Sequence, residues 1–147
     1  MSNNITEILK NHDAIKFATT AGTQMHNRLA QIVIDDNCTR GDAELIERIK
    51  SVPNLARLFS STSQTEVPIA GNIGTRFISR RIDRLYIDDG AQTVYVLDYK
   101  TDVFPEQFRE RYVAQLHEYA ALSRQIYPKY KIQCLILWTH DWTLERV

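Results

Sequence analysis

The sequence predicts an α/β (α+β) fold in which a mixed central β-sheet of about five strands is flanked by helices. Three features indicate it: helical patterns up to about residue 60, strand patterns between short turns over 65–100, and a long segment without glycine or proline before a last apolar run. A chain of 147 residues with 44% hydrophobic content is long enough for one core. We therefore predict a single domain over residues 1–147.

The segments before the sheet share apolar residues at helical spacing and polar or glycine-containing breaks. Asp42 is a suitable helix N-cap, and the Val-Pro pair at 52–53 closes the helix that it begins. The predicted segments are a modest helix over 5–19, a better helix over 23–34, a loop over 37–41, a helix over 43–50 and a short helix over 54–59.

The second part of the chain is rich in β-branched and aromatic residues, which favours strands. Pro105 fits the first turn of a helix, Pro128 ends that helix, and the nearly all-apolar run after it suits a strand buried on both faces. The predicted segments are strands over 65–70, 75–88, 93–100, 131–139 and 142–147, a turn over 71–74 and a helix over 106–126, with the last two strands paired.

The charge balance limits the classes of partner. Eighteen basic and eighteen acidic residues give a formal net charge of zero, so no general attraction to DNA or to a membrane is expected. No stretch approaches the roughly 18 apolar residues of a membrane span, and the polar start is no signal peptide. Cys38 and Cys134 lie far apart without a metal-ligand pattern, which disfavours zinc or iron–sulfur. We expect a cytoplasmic protein without a membrane partner.

Two carboxylates and a lysine converge in the predicted hairpin around residue 90. Side chains alternate along a strand, so Asp98 and Lys100 project from one face while Tyr99 points away. If the two strands pair antiparallel across the turn, Asp83 lies almost opposite Asp98. Two like charges at that distance repel, and a bound Mg²⁺ or Mn²⁺ relieves the repulsion. This is the chemistry of a divalent-metal nuclease.

Gln115 and Tyr119 are spaced i, i+4 on the long predicted helix, and Tyr112 lies on the same stripe. These side chains either face the predicted site or form the polar edge of an amphipathic helix. A basic patch of Arg76, Arg80, Arg81 and Arg84 lies near the site; Arg76 and Arg80 could equally well only solvate a strand.

Six short motifs occur in a fixed order: Gly-Thr-Gln-Met-His at 22–26, Glu-Val-Pro at 66–68, Arg-Ile-Asp-Arg-Leu at 81–85, Asp-Tyr-Lys-Thr at 98–101, Tyr-Val-Ala-Gln-Leu-His-Glu-Tyr at 112–119 and Leu-Ile-Leu-Trp-Thr at 135–139. Together they resemble the PD-(D/E)xK nuclease superfamily, and within it the RecB-like nuclease domain at the C-terminal end of bacterial AddA-type helicase-nucleases. The resemblance covers about residues 22–145. It implies a restriction-endonuclease-like core and a metal-dependent deoxyribonuclease, an exonuclease, in recombination, repair or DNA defence.

The resemblance also implies a role for each residue. Lys100 would stabilise charge on the phosphate and steer the attacking water. Glu66 would accept a hydrogen bond from a metal-bound water or ligate a second ion; otherwise it is a solvated edge-strand residue. The implied ligands of Mg²⁺ or Mn²⁺ are Asp83, Asp98, the carbonyl of Tyr99 and His26, the last of which is otherwise an ordinary helix histidine. The implied nucleic-acid contacts are Arg81, Arg84, Tyr112, Gln115 and Tyr119, of which Gln115 and Tyr119 also reach Lys100.

The chain departs from that family in lacking a GxxxxGK[ST] phosphate loop, the mark of a helicase motor. We expect that it acts on DNA alone or with a separate helicase or nuclease subunit, or that it is a piece or remnant of a larger protein. The alternative is a catalytically inactive DNA-binding or assembly module that retains the nuclease fold. Hydrolysis of RNA or nucleotides is a third possibility, and the oligomeric state is open.

Overall fold

The computed structural model describes residues 21–103 and 105–147, so the helix predicted over 5–19 lies outside the described residues. It contains a five-stranded mixed sheet with helices on both faces, which confirms the predicted fold class and is consistent with a restriction-endonuclease-like core. In chain order the elements are α1 (described over 21–30), β1 (Val33–Ile34), β2 (Thr39–Arg40), α2 (Ala43–Ser51), a 3-10 turn (Ala56–Phe59), β3 (Gln64–Ile73), β4 (Arg76–Asp88), β5 (Thr93–Lys100), a second 3-10 turn (Pro105–Gln107), α3 (Arg109–Ile126), β6 (Lys131–Trp138) and β7 (Thr143–Arg146).

The sheet has the spatial order β3-β4-β5-β6-β7. The neighbours β3, β4 and β5 pair antiparallel, because short turns join them, whereas β5 and β6 pair parallel with α3 as the crossover helix. The last strand, β7, pairs antiparallel with β6, as predicted. The carboxyl end of β5 therefore lies inside the sheet, between β4 and β6.

Two hydrophobic cores lie on opposite faces of the sheet. Along β5, Val94 and Val96 pack under α3, whereas Leu97 and Tyr99 pack under α1 and α2. The strict alternation of strand side chains produces this division. In the described part of the chain, no helix is long and apolar enough to cross a membrane.

The structure corrects the predicted helix over 23–34 and the loop after it. Helix α1 ends at residue 30, and the two short strands β1 and β2 pair with each other. Three consecutive β-branched residues, Ile32, Val33 and Ile34, are poor helix formers, and their apolar pattern suited either structure. Gly41 closes this small sheet with φ +117°, and a Cβ there would lie 2.9 Å from the Ile32 side chain.

Two further boundaries were tested by the structure. The predicted cap is confirmed, since Asp42 Oδ1 accepts a hydrogen bond from the Leu45 N–H at 3.1 Å. The turn predicted over 71–74 is too long, because β3 continues to Ile73 and Gly74 alone takes a positive φ of 61° there. The hairpin of β3 and β4 therefore extends farther than expected.

Candidate active site at an opening in the sheet

The backbone pairing of β4 opens on both sides at Asp83. Its ladder with β5 ends at the pair Arg84 and Leu97. Its ladder with β3 skips the Glu66–Asp83 position and resumes at Val67, and Glu66 has a positive φ of 53°. Glu66, Asp83 and Asp98 therefore occupy neighbouring strands at the level where the sheet opens.

The alternation of β4 also slips by one residue at this point. Ile82 and Leu85, three positions apart, both pack into the core beneath α3, while Arg84 between them lies in the other core. The Asp83 side chain fills the opening, where its Oδ2 accepts a hydrogen bond from the Tyr99 N–H at 2.8 Å. Asp83 therefore lies between the two layers and can be reached from both.

From one layer, α1 brings His26 to Asp83. Its Nε2 lies 3.2 Å from Asp83 Oδ2, and its Nδ1 lies 2.8 Å from the carbonyl of Gly22. A carbonyl can only accept, so Nδ1 donates and Nε2 faces the carboxylate. Burial lowers the pKa of His26, but the hydrogen bond and charge of Asp83 outweigh it and raise that pKa to about 9. An imidazole oriented by a carbonyl in this way is typical of metal-binding histidines.

From the other layer come Asp98 and Lys100, which share a face as predicted. Lys100 Nζ lies 2.7 Å from Asp98 Oδ2, and the Asp98 residue is only 3% exposed. That oxygen is nevertheless without a hydrogen bond of acceptable geometry. Burial raises the pKa of Asp98 to about 7; the Lys100 ammonium opposes the rise, and the charge of Asp83 adds to it. Burial would likewise raise the pKa of Asp83, but hydrogen bonds from His26 and Asp98 lower it.

Helix α3 holds the lysine through a chain of hydrogen bonds. Lys100 Nζ donates to Gln115 Oε1 at 3.2 Å, and Gln115 Nε2 donates to the Tyr119 hydroxyl at 2.9 Å. The Tyr119 hydroxyl donates in turn to the carbonyl of Arg81 at 3.3 Å. Burial raises the pKa of Tyr119 above its usual range, so the hydroxyl keeps its proton. The predicted orientation of Gln115 and Tyr119 toward Lys100 is therefore present.

Tyr112 completes the surroundings of the lysine. The Lys100 ammonium lies 4.3 Å from the centre of the Tyr112 ring, within the range of a cation–π contact. The Tyr112 hydroxyl donates to Asp102 Oδ2 at 2.8 Å, so Asp102 pairs with this tyrosine and Lys100 pairs with Asp98. Sequence reasoning missed this role of Asp102, although it continues the alternation of Asp98 and Lys100.

Glu66 and Arg81 lie on the open side of the site. Both line a groove of about 1140 Å³ together with His26, Asp83 and Lys100. Glu66 Oε2 lies 3.6 Å from Arg81 Nη1, and within the described residues no hydrogen bond or ion pair joins Glu66 to either aspartate. Glu66 therefore borders the site without contacting its carboxylates. Phe108, another groove residue that the sequence did not single out, packs against Tyr112 with 6.2 Å between ring centres.

Arg84 does not belong to a surface patch, and its assignment as a nucleic-acid contact is wrong. The residue is 2% exposed, and its guanidinium stacks 4.2 Å from the centre of the Phe59 ring. It donates to the Tyr99 hydroxyl at 2.9 Å and to the carbonyls of Leu29 and Ile32 at 2.9 and 3.2 Å. These carbonyls lie at the end of α1, where helical carbonyls lack partners. Arg84 therefore ties α1 to the sheet beside the site.

The site contains the kinds of donor atom that a divalent cation prefers, but among the described residues these donors do not form a complete set of ligands. In residues 21–103 and 105–147, no three His, Cys, Asp or Glu side chains are grouped as a metal site. An imidazole and two carboxylates do follow one another across the opening, and the buried oxygen of Asp98 lacks a hydrogen bond. The charge and hydrogen bond of Asp83 outweigh burial and raise the pKa of His26, and burial raises the pKa of Asp98, so both groups hold their protons more tightly than usual. A cation could take the place of those protons. The predicted role of the Tyr99 carbonyl stays a prediction.

A second cavity, of about 1040 Å³, lies toward the other end of the sheet. Its lining includes Arg57, Leu58, Tyr95 and Leu144, and it contains none of the candidate site residues. His26, Asp83 and Lys100 line the groove at the carboxyl end of β5 instead.

Comparison with known proteins relates part of the chain to a nuclease-containing protein. No protein-family model matches the sequence. In an alignment of 56 positions that covers 35% of the chain, it is 43% identical to an ATP-dependent helicase/nuclease subunit of Oenococcus oeni. The matched segment is 5% of the length of that protein. This similarity suggests a RecB-like relationship over part of the chain.

Proposed function

We propose that this chain is a divalent-metal-dependent DNA nuclease, an exonuclease that hydrolyses phosphodiester bonds in recombination, repair or DNA defence. The observation that carries the proposal is the meeting of Asp83, Asp98 and Lys100 at the opening of the sheet, where Asp83 and Lys100 line a groove of about 1140 Å³ and Asp98 is buried beside them. The similarity to a helicase/nuclease subunit supports DNA as the substrate and a separate helicase or nuclease protein as the partner.

In this proposal, Asp83, Asp98 and His26 hold Mg²⁺ or Mn²⁺, with the carbonyl of Tyr99 as a further ligand. Carboxylate and carbonyl oxygens are the ligands that these hard ions prefer. The bound ion would supply Lewis-acid chemistry, polarising the phosphodiester and making a water molecule more acidic.

The protein's own contribution centres on Lys100. Its ammonium is fixed by Asp98, Gln115 and the ring of Tyr112, so little reorganisation is needed when negative charge grows on the phosphate. The ammonium can donate to a phosphate oxygen or hold the attacking water in line. Arg81, whose side chain is 70% exposed at the rim beside Glu66, can turn to contact a neighbouring phosphate.

The direct test measures degradation of end-labelled linear DNA, single- and double-stranded, and of closed circular DNA. An exonuclease degrades the linear substrates in Mn²⁺, leaves the circle intact and stops in excess EDTA. Degradation of the circle would replace exonuclease by endonuclease. Activity that persists in EDTA, or no activity on any DNA, would contradict the proposal.

Binding of Mn²⁺ should raise the thermal midpoint of the protein, because an ion that binds only the folded state stabilises it. At a free concentration of 100 times Kd the gain is about 2.7 kcal/mol, which for a chain of this size is a shift of roughly 5–10 °C. Differential scanning fluorimetry measures it. Asp98→Asn should abolish most of the shift, whereas Asp141→Asn, an exposed carboxylate of the β6–β7 turn, should keep it. An unchanged midpoint at millimolar Mn²⁺ would argue against a metal site.

A second candidate function is a catalytically inactive DNA-binding or assembly module. Two observations favour it. His26 pairs with Asp83 and Lys100 pairs with Asp98, so the main charges of the site already have partners. Among the described residues, no group of three potential ligand side chains is arranged as a metal site. Such a module would bind DNA with equal affinity in EDTA and Mn²⁺ and would not hydrolyse it. Gel-shift assays in both conditions, beside the degradation assay, distinguish the two functions.

A further inference from the structure

One face of the β3–β4 hairpin is exposed beside the candidate site. Its buried face packs under α3 through Ile69, Ile78 and Ile82. The opposite face consists of three cross-strand pairs in register, and all six residues are exposed. In order from the site, the pairs are Pro68 with Arg81, Ala70 with Ser79, and Asn72 with Phe77.

This face is continuous with the groove. Arg81 belongs to both, since it lines the groove beside Glu66. Phe77 lies four residues along the same strand, roughly 13 Å away at 3.3 Å per residue. The surface therefore leads directly away from the carboxylates.

Phe77 is the feature of this face that calls for an explanation. Its residue is 70% exposed, the highest value of any large hydrophobic residue in the described parts of the chain. Between it and Arg81 the face carries only small or short side chains, which allow a ligand to lie flat against the strands. The face thus presents a guanidinium at one end and an aromatic ring at the other.

The charges around the hairpin favour a polyanion only moderately. Arg76 and Arg80 lie toward α3, where they are 3.9 and 3.2 Å from Glu118, and Arg81 lies near Glu66. Over the whole hairpin, three arginines against two glutamates leave one positive charge, whereas on the exposed side the charges of Arg81 and Glu66 balance. Binding would therefore depend on the aromatic ring as well as on phosphate contacts, which favours an unpaired strand, because only unpaired bases are free to stack on a side chain.

We propose that the exposed face of the β3–β4 hairpin is a binding platform for single-stranded DNA. Phe77 stacks on an unpaired base, and Arg81 contacts a phosphate close to the site. This inference rests on the proposed function for its substrate class and adds the path of the strand and a preference for single-stranded ends.

The test compares Phe77→Ala and Phe77→Trp with Ile126→Ala, a control that removes another exposed apolar side chain, at the end of α3. Binding of a fluorescent single-stranded 20-mer is measured by anisotropy in EDTA. Hydrolysis of the same oligonucleotide and of bis(p-nitrophenyl) phosphate is measured in Mn²⁺, because the small diester is too short to reach Phe77.

The platform predicts that Phe77→Ala weakens binding of the 20-mer roughly tenfold, the effect of losing one stacked base. The same variant should lower kcat/KM for the oligonucleotide and leave hydrolysis of the small diester unchanged. Phe77→Trp should bind like wild type, with its indole fluorescence quenched by DNA, and Ile126→Ala should behave as wild type.

If Phe77→Ala binds the 20-mer with unchanged affinity, the proposed platform is overturned. The same result is expected if this face binds a protein instead of DNA. An equal loss with Ile126→Ala would also overturn it. If neither substrate is hydrolysed but Phe77→Ala still weakens binding, the nuclease proposal fails and the platform stands. If DNA is hydrolysed and Phe77→Ala has no effect, the platform alone fails.

Discussion

Lys100→Met is expected to lower kcat for DNA hydrolysis by roughly 10²- to 10³-fold, the usual loss when one preorganised donor to a developing charge is removed. Methionine keeps most of the length and apolar contact of the side chain but cannot donate. KM should change little, because in the proposed mechanism the lysine contacts the reacting phosphate and not the rest of the strand. Steady-state hydrolysis of labelled oligonucleotide in Mn²⁺ measures both constants.

The control is Lys131→Met, which removes an exposed lysine at the start of β6, at the other end of the sheet. It should retain full activity. Because Lys100 borders buried Asp98, the thermal midpoint of Lys100→Met must be measured as well. A folded Lys100→Met protein with wild-type kcat would remove the lysine from the mechanism, and an equal loss with Lys131→Met would point to an effect of charge in general.

The variant also separates the two candidate functions. In a nuclease, Lys100→Met loses hydrolysis and keeps DNA binding. In an inactive module, neither the wild type nor the variant hydrolyses DNA, and their affinities are similar. The lysine is thus more informative than either aspartate, since Asp83→Asn and Asp98→Asn alter the metal and the local fold together.

Part of this site follows from local sequence patterns. Alternation along one strand places Asp98 and Lys100 together and turns Tyr99 to the other core, as the structure confirms. Helical spacing places Gln115 and Tyr119 on one stripe, and their hydrogen bond confirms it. Such patterns are local, and they remain valid whatever the rest of the chain does.

The opening of the sheet could not be predicted in this way. A run of strand-forming residues shows that a strand exists, but it does not show where that strand leaves its neighbour. The slip at Asp83 depends on the Tyr99 N–H, on His26 and on the kink at Glu66, all of which are distant in the sequence. The geometry of the candidate site thus arises from tertiary contacts that interrupt the regular pattern.

Arg84 was misplaced for the same reason. It stands in the charged run Arg-Arg-Ile-Asp-Arg, which suggests a solvated strand. Its partners, however, are the Tyr99 hydroxyl, the end of α1, Phe59 and Ser63, between 15 and 55 residues away in the sequence. A buried arginine cannot be recognised from its neighbours in sequence when all of its acceptors are distant.

Arg84→Met is expected to lower the free energy of unfolding by about 3 kcal/mol. The variant leaves the Tyr99 hydroxyl and the carbonyls of Leu29 and Ile32 without their donor, and each buried unsatisfied group costs roughly 1–3 kcal/mol. Part of that loss is offset, because the variant no longer incurs the desolvation cost of burying a charge. Urea denaturation followed by circular dichroism measures the change.

Arg57→Met is the matched control, since Arg57 makes the same kinds of contact at the surface. It donates to the Tyr95 hydroxyl at 2.7 Å and lies 4.7 Å from the centre of that ring, but its side chain is 47% exposed. Its loss should cost less than about 1 kcal/mol. Equal stability of the two variants would contradict the structural role of Arg84.

The loss of Arg84 should also affect the proposed metal site, because Arg84 fastens the end of the helix that carries His26. With α1 released, His26 no longer has a fixed distance to Asp83, and in folded Arg84→Met protein the affinity for Mn²⁺ should fall roughly 10- to 100-fold, as it does when supporting contacts of a metal ligand are removed. Calorimetric titration of Mn²⁺ at a temperature where the variant is fully folded measures this. An unchanged affinity would show that the position of His26 is set by its contacts with Asp83 and Gly22 alone.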